Sequence, residues 1–131
     1  GGGAGGSRAD YTTPRATVQL LRHMATRPDF ESYEAALPVL GVDGTLVQSV
    51  KPDSPARGKV HAKTGTLFWD NTMNNRYLLT SKALAGYMTT SNGQRLAFAM
   101  FVNNTHIQKS SETTREGKTL GRLCEIIYSE R

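Results

Sequence analysis

Two strand-like runs joined by a short polar turn constrain the fold of this chain more than any other feature. Residues 84–90 and 95–102 flank the sequence Ser-Asn-Gly-Gln at positions 91–94. Asn-Gly between two such runs is a strong signal for a β-hairpin, because both residues tolerate the left-handed backbone of a tight turn. The second run is almost wholly apolar, which predicts a central strand covered on both faces. We therefore expect an antiparallel sheet.

A third strand precedes this hairpin. Residues 58–63 alternate between small apolar and polar types, the period-2 pattern of a half-buried strand. The stretch 68–76, between this strand and the hairpin, is polar and rich in asparagine, and we predict that it forms a long loop.

Helices are predicted on either side of the strands. Thr13 and Pro14 supply an N-cap hydroxyl and a first-turn proline for a helix that ends near residue 27. A second short helix is predicted over residues 29–36, and a closing helix over 113–128. The predicted buried stripe of the closing helix, with Cys124 as a small core residue among its members, consists of Leu120, Leu123, Ile126 and Ile127. The fold class is thus α+β, an antiparallel sheet flanked by helices.

Composition narrows the possible functions. The net charge is +5 and the pI is about 9.6, values that raise nucleic-acid binding as a possibility. However, the basic residues are spread along the chain and are not interleaved with aromatic residues, so we expect no nucleic-acid partner. No apolar run reaches the roughly 18 residues of a membrane span. His23, His61 and His106 lie far apart without ligand spacing, and neither a metal nor another cofactor is expected.

The first residues are unusually rich in glycine, and we treat residues 1–12 as a glycine-rich loop or linker. Gly1, Gly3 and Gly6 satisfy the G-x-G-x-x-G pattern, but no strand precedes them, so dinucleotide binding lacks its structural context. Two alternatives remain open. The segment is a flexible linker or expression remnant, or it is a tight loop that delivers Ser7 and Arg8 to a site.

Lys63, Thr64, Gly65 and Thr66 place a cation, two hydroxyls and a glycine in consecutive positions of the first strand. Such a strand can bind a carboxylate-bearing peptide beside it, because Gly65 allows close approach to the backbone. A strand lysine more often faces water and protects a sheet edge against aggregation, and residue types alone favour that interpretation of Lys63.

The surrounding sequence resembles the class C, low-molecular-mass penicillin-binding proteins. Lys-Thr-Gly is one of the motifs of penicillin-binding proteins and class A β-lactamases. The segments that carry the resemblance span most of the chain and lie at residues 3–8, 13–14, 37–46, 58–67, 85–87 and 101–104. This family consists of D-alanyl-D-alanine carboxypeptidases and endopeptidases that trim peptidoglycan in the bacterial envelope.

The resemblance implies the C-terminal part of a penicillin-binding, serine β-lactamase-like transpeptidase fold, with residues 1–131 forming part of one such domain. By the family pattern, Lys63 and Thr66 are catalytic residues. The residues expected to bind substrate are Thr64, Gly65, Ser7 and Arg8. The implied partners are peptidoglycan peptides ending in D-Ala-D-Ala and β-lactams, and the implied location is the periplasm or cell envelope, although the chain shows no targeting signal.

The chain departs from the family pattern in two elements that catalysis requires. No lysine has serine three residues before it, and no serine has asparagine two residues after it. Gly2 also stands where the family usually has aspartate. We therefore expect the Ser-x-x-Lys nucleophile to lie outside this chain, in an N-terminal part of the same protein, and the chain alone to be inactive. The alternative is a non-catalytic module that binds peptidoglycan or a partner.

Overall fold

The computed structural model describes residues 5–7 and 9–130. Its helices and strands, in chain order, are α1 (Pro14–Met24), α2 (Phe30–Ala35), β1 (Val60–Asn71), β2 (Arg76–Thr89), β3 (Arg95–Ile107) and α3 (Thr113–Glu130). The three strands form one antiparallel sheet in the order β1-β2-β3. The predicted α+β class, an antiparallel sheet flanked by helices, is confirmed.

The predicted hairpin at Asn92-Gly93 is confirmed, and it joins β2 to β3. The predicted long loop over residues 68–76 is wrong. β1 continues to Asn71, and after a single 3-10 turn at Thr72–Asn74 the chain enters β2 at Arg76. Asn75 closes this turn with a φ of 47°, a left-handed conformation that asparagine adopts more readily than most residues. Polar residues on this extension obscured its strand pattern.

The prediction that residues 95–102 form a central strand is not met within the described residues. Within the part of the chain that the structure describes, β3 pairs only with β2 and forms an edge of the sheet. Its apolar side chains are half-buried, and only Ile107 at its end is fully buried. An apolar pattern indicates that both faces of a strand are covered by other parts of the protein. It does not indicate how many strands lie beside that strand in the sheet.

The main core lies between one face of the sheet and α3. The buried side chains of this core include Leu40, Leu46, Val60, Leu84, Met88, Leu120 and Cys124. The predicted stripe on α3 is therefore only partly correct. Leu120 and Cys124 are buried, whereas Leu123 and Ile126 are 40% and 38% exposed. At 100° per residue these two positions flank the stripe and do not lie within it.

Helices α1 and α2 cover the opposite face of the sheet around Tyr87. The Tyr87 hydroxyl donates a hydrogen bond to the carbonyl oxygen of Leu21 at 2.7 Å. The rings of Phe30 and Tyr33 meet the Tyr87 ring edge to face, with centroids 5.0 and 6.4 Å away. As predicted, Thr13 caps α1, accepting a hydrogen bond from the Ala16 N–H. None of the described helices is both long enough and apolar enough to cross a bilayer.

Candidate active site

The free edge of β1 is partly occupied at its beginning. The Leu40 N–H donates to the carbonyl oxygen of Val60, and the Ala62 N–H donates to that of Pro38, both at 2.9 Å. The backbone groups of Val60 and Ala62 that make these bonds therefore point away from β2. Because backbone direction alternates along a strand, the N–H groups of Thr64 and Thr66 point to the same side, beyond the segment that covers the start of the edge.

Side chains alternate across the same strand. Thr64 and Thr66 project to the face that carries Val60 and Ala62, and Lys63 and Gly65 project to the other face. The exposed Lys63 ammonium nevertheless returns to the edge, where its Nζ donates to the carbonyl oxygen of Thr64 at 2.9 Å. The site thus combines a cation with outward-facing backbone N–H groups.

Gly65 leaves the face beside Lys63 open. A Cβ added at this position would meet only the Cβ of Ala83, at an ordinary contact distance of 3.6 Å. The absence of a side chain here is therefore not required by packing. It leaves room for a chain to lie close to the strand.

Both threonine hydroxyls have partners from other parts of the fold. Thr64 Oγ1 lies 3.0 Å from Thr45 Oγ1. Thr66 Oγ1 accepts a hydrogen bond from Lys82 Nζ at 2.7 Å. Lys82 is half-buried on β2, directly opposite Thr66 in the register. Burial, and secondarily the positive charge of Lys63, lower the pKa of Lys82 from its ordinary value.

Lys82 contacts the candidate site through Thr66, and the sequence patterns did not predict this contact. Its position opposite Thr66 depends on the register between β1 and β2, and the predicted loop over residues 68–76 concealed that these strands form a hairpin. Counting residue pairs outward from the turn at Thr72–Asn74 would have placed Lys82 one position away from Thr66. A one-residue bulge accounts for the difference. That bulge places Leu67 opposite Ser81 but Phe68 opposite Leu79.

The candidate site carries the positive charges of Lys63 and Lys82 without a paired negative charge among the described residues. Within residues 5–7 and 9–130, no carboxylate forms an ion pair with Lys63 or Lys82. Two ammonium groups on neighbouring strands, with backbone N–H groups beside them, form an environment that attracts an anion.

The two remaining predicted site residues, Ser7 and Arg8, belong to the glycine-rich segment. Ser7 is exposed, and its described hydrogen bonds are local: Oγ accepts from the Ala9 N–H and the carbonyl oxygen accepts from the Asp10 N–H. Arg8 lies outside the described residues, as do residues 1–4. Among the residues that the structure covers, no three His, Cys, Asp or Glu side chains gather as a metal site would require.

An antiparallel sheet between helices, with Lys-Thr-Gly on an edge strand, is typical of penicillin-binding proteins and serine β-lactamases. A sequence profile of the D-Ala-D-Ala carboxypeptidase 3 (S13) family matches residues 2–122. The chain belongs to this family, and the family predicted from the sequence motifs is confirmed.

Individual relatives agree with this assignment. The chain is 33% identical over 102 residues to the D-alanyl-D-alanine carboxypeptidase DacB of Haemophilus influenzae, covering 77% of this chain and 19% of that protein. It is 35% identical over 109 residues to a D-alanyl-D-alanine carboxypeptidase of an Actinomadura species, covering 79% and 18%. The chain therefore spans about a fifth of the length of these relatives.

Solved structures show the same fold. Penicillin-binding protein 4 of H. influenzae, complexed with a β-lactam, superimposes with a TM-score of 0.62 and 26% identity, over 94% of this chain and 27% of that one. A class A β-lactamase of Bacteroides cellulosilyticus gives a TM-score of 0.55 at 20% identity, over 89% of this chain and 40% of that one. The latter likeness supports the fold alone, and the predicted transpeptidase-like fold is confirmed.

Proposed function

We propose that this chain supplies the substrate-carboxylate and oxyanion side of a serine-type D-alanyl-D-alanine carboxypeptidase or endopeptidase. The observation that carries the proposal is the free edge of β1. There the Lys63 ammonium donates to the carbonyl oxygen of Thr64, and strand alternation turns the N–H groups of Thr64 and Thr66 outward. This edge suits an extended peptide that pairs with β1 as an added strand and ends in a carboxylate.

The proposed reaction is acyl transfer. A serine from another part of the protein attacks the carbonyl carbon between the two D-alanines, the bond to the last residue breaks, and D-alanine leaves with the transferred proton. Water or an amine then cleaves the acyl-enzyme ester and regenerates the serine. β-Lactams acylate the same serine, but ring opening leaves their leaving group attached.

Each residue of the edge has a role in this scheme. The Thr66 N–H supplies half of the oxyanion hole, a contribution of about 3 kcal/mol where such donors have been removed. Lys63 stabilises charge at the nucleophile and at the substrate carboxylate. The Thr64 and Thr66 hydroxyls donate to that carboxylate, Gly65 permits close approach, and the two residues proposed to contact the substrate from the glycine-rich loop are Ser7 and Arg8.

The proposal extends to the whole protein. Residues 1–131 form the C-terminal part of one penicillin-binding domain, with 1–12 as a glycine-rich loop or linker, and an N-terminal part carries the Ser-x-x-Lys nucleophile. The substrate is peptidoglycan peptide, which locates the protein in the bacterial envelope, in the periplasm. The similarity to curated D-alanyl-D-alanine carboxypeptidases supports this assignment.

A labelled penicillin tests the function in the longer protein that contains the nucleophile. We expect a stable covalent adduct by mass spectrometry, and we expect Lys63→Ala to abolish it. Lys59→Ala is the matched control, since Lys59 is an exposed lysine just before β1. Labelling that persists in Lys63→Ala would remove Lys63 from the mechanism, and a wild-type protein that never labels would contradict the proposed function.

A non-catalytic module that binds peptidoglycan or a partner is the second candidate. It would be favoured if the longer protein also lacked a Ser-x-x-Lys motif. It predicts that the longer protein binds D-Ala-D-Ala peptides in a calorimeter, releases no D-alanine and forms no penicillin adduct.

A further inference from the structure

We propose that Lys82 is a positioning residue that orients the Thr66 hydroxyl toward the substrate carboxylate and, with Lys63, forms a two-cation site for that carboxylate. This inference rests on the proposed function and names a residue that the Lys-Thr-Gly motif does not include. The carrying contact is the 2.7 Å hydrogen bond from Lys82 Nζ to Thr66 Oγ1.

The direction of this hydrogen bond follows from the chemistry of its two groups. A lysine ammonium donates hydrogen bonds and has no lone pair with which to accept one. A threonine hydroxyl has one proton and two lone pairs. Since Lys82 occupies a lone pair of Thr66 Oγ1, the Thr66 proton points elsewhere and is available to donate. A carboxylate, which only accepts, is the complementary ligand.

The fold holds Lys82 in place from several sides. It lies on the middle strand of the described sheet, with Thr66 opposite on β1 and Val102 opposite on β3. On α3, Gly117 faces its stem, since a Cβ built on that glycine would lie 3.3 Å from Lys82 Cε. A half-buried side chain confined in this way delivers its ammonium to one location with little loss of rotamer freedom.

The charges near Lys82 point to an anion that is not part of the described fold. Charges that are taken out of water are normally paired with an opposite charge, and Lys82 is half-buried. Among the described side chains Lys82 has no such partner, and the charged group that affects its pKa is another cation, Lys63. The terminal carboxylate of a D-Ala-D-Ala peptide, or that of a β-lactam, would relieve this repulsion.

The test uses the longer protein with its nucleophile and compares two substrates, a D-Ala-D-Ala peptide and the same peptide with a C-terminal carboxamide. We expect Lys82→Met, which keeps the stem and removes the ammonium, to lower kcat/KM for the free carboxylate about ten- to hundredfold. We expect the wild type to process the carboxamide poorly and the rate on it to change less than about threefold. Lys82→Arg should recover most of the activity, and Lys109→Met, an exposed lysine before α3, is the control.

A double-mutant cycle identifies the pathway of the effect. If Lys82 acts through the Thr66 hydroxyl, the double variant Lys82→Met/Thr66→Val should be slowed by less than the product of the two single effects. Equal losses on both substrates, or no loss, would overturn the proposal. If Lys82→Met does not fold, Lys82→Arg becomes the deciding variant. A normally folded arginine variant that does not prefer the free carboxylate over the carboxamide also contradicts the proposal. Failure of the wild-type protein to react with penicillin would instead contradict the proposed function.

Discussion

At the scale of single residues, two glycines on facing strands have different reasons to be glycine. At Gly86 on β2, an added Cβ would collide with the carbonyl oxygen of His61 and with Ala62 on β1. At Gly65, the same addition meets only Ala83 at 3.6 Å. The first glycine therefore serves the packing of the sheet, whereas the second leaves free the surface that we assign to the substrate.

This contrast predicts separate effects on stability and activity. Gly86→Ala should destabilise the chain by about 1–3 kcal/mol or more, because the colliding atoms include backbone that cannot move aside easily. Gly65→Ala should leave the urea unfolding midpoint almost unchanged but reduce penicillin labelling of the longer protein at least about tenfold. A Gly65→Ala protein that labels normally would show that no substrate lies against this glycine.

Cys124 offers a probe of the core at the same scale. The thiol is fully buried beneath the sheet, and burial, with a smaller contribution from the negative charge of Glu125, raises its pKa to about 12. In an unfolded chain the thiol ionises near its ordinary pKa of 9.0. The stability that comes from keeping the thiol neutral is therefore present below pH 9.0 and is lost as the pH rises toward 12.

We expect iodoacetamide at pH 8 to leave Cys124 unmodified in the folded chain and to alkylate it rapidly in urea, because the thiolate is the reactive form. Mass spectrometry of timed samples measures this difference. Rapid alkylation without denaturant would show that the α3 side of the core opens readily.

At the scale of whole elements, the sequence predicted what local chemistry encodes. Thr13 and Pro14 mark the start of α1, and Asn92-Gly93 marks the hairpin, since both signals act within a few residues. Two features that the sequence did not predict depend instead on neighbours distant in sequence. The edge position of β3 and the pairing of Lys82 with Thr66 depend on sheet order, and on a bulge at Thr80 that no residue type announces. The roles of Lys63 and the other motif residues came from family resemblance and remain predictions.

Helix α3 allows the distinction between buried and flanking positions to be measured. Leu120→Ala should cost about 2–5 kcal/mol, because its side chain is 2% exposed and its removal leaves a cavity. Leu123→Ala, the matched control on the same helix, should cost less than about 1 kcal/mol, since that side chain is 40% exposed. Equal costs in urea unfolding would mean that Leu123 is covered in solution.

At the scale of the whole molecule, our proposal assigns the binding groups to this chain and the attacking group to another part of the protein. The described sheet ends at β3 on one side, where half-buried apolar side chains suit the addition of further structure. It ends at β1 on the other side, where cations and N–H groups suit a ligand. The proposed function therefore requires another segment of the protein to supply the nucleophile.

We therefore expect the 131-residue chain alone to form no covalent adduct with labelled penicillin. The measurement is intact mass after prolonged incubation, with the longer protein as the positive control. An adduct on any serine of this chain would identify a nucleophile here and contradict our proposal that the nucleophile lies in another part of the protein.

The short segment that pairs with the start of β1 has a consequence for how much of a peptide can be removed. A ligand that runs antiparallel to β1 points its C-terminus toward Ala62, where Pro38 already holds the backbone N–H. Such a ligand can extend no further along the edge, so its chain end must stop near Lys63 and Thr64. If the proposed peptide binds here, a barrier at this location would favour cleavage of the last peptide bond, the carboxypeptidase reaction, over the endopeptidase reaction within a longer chain.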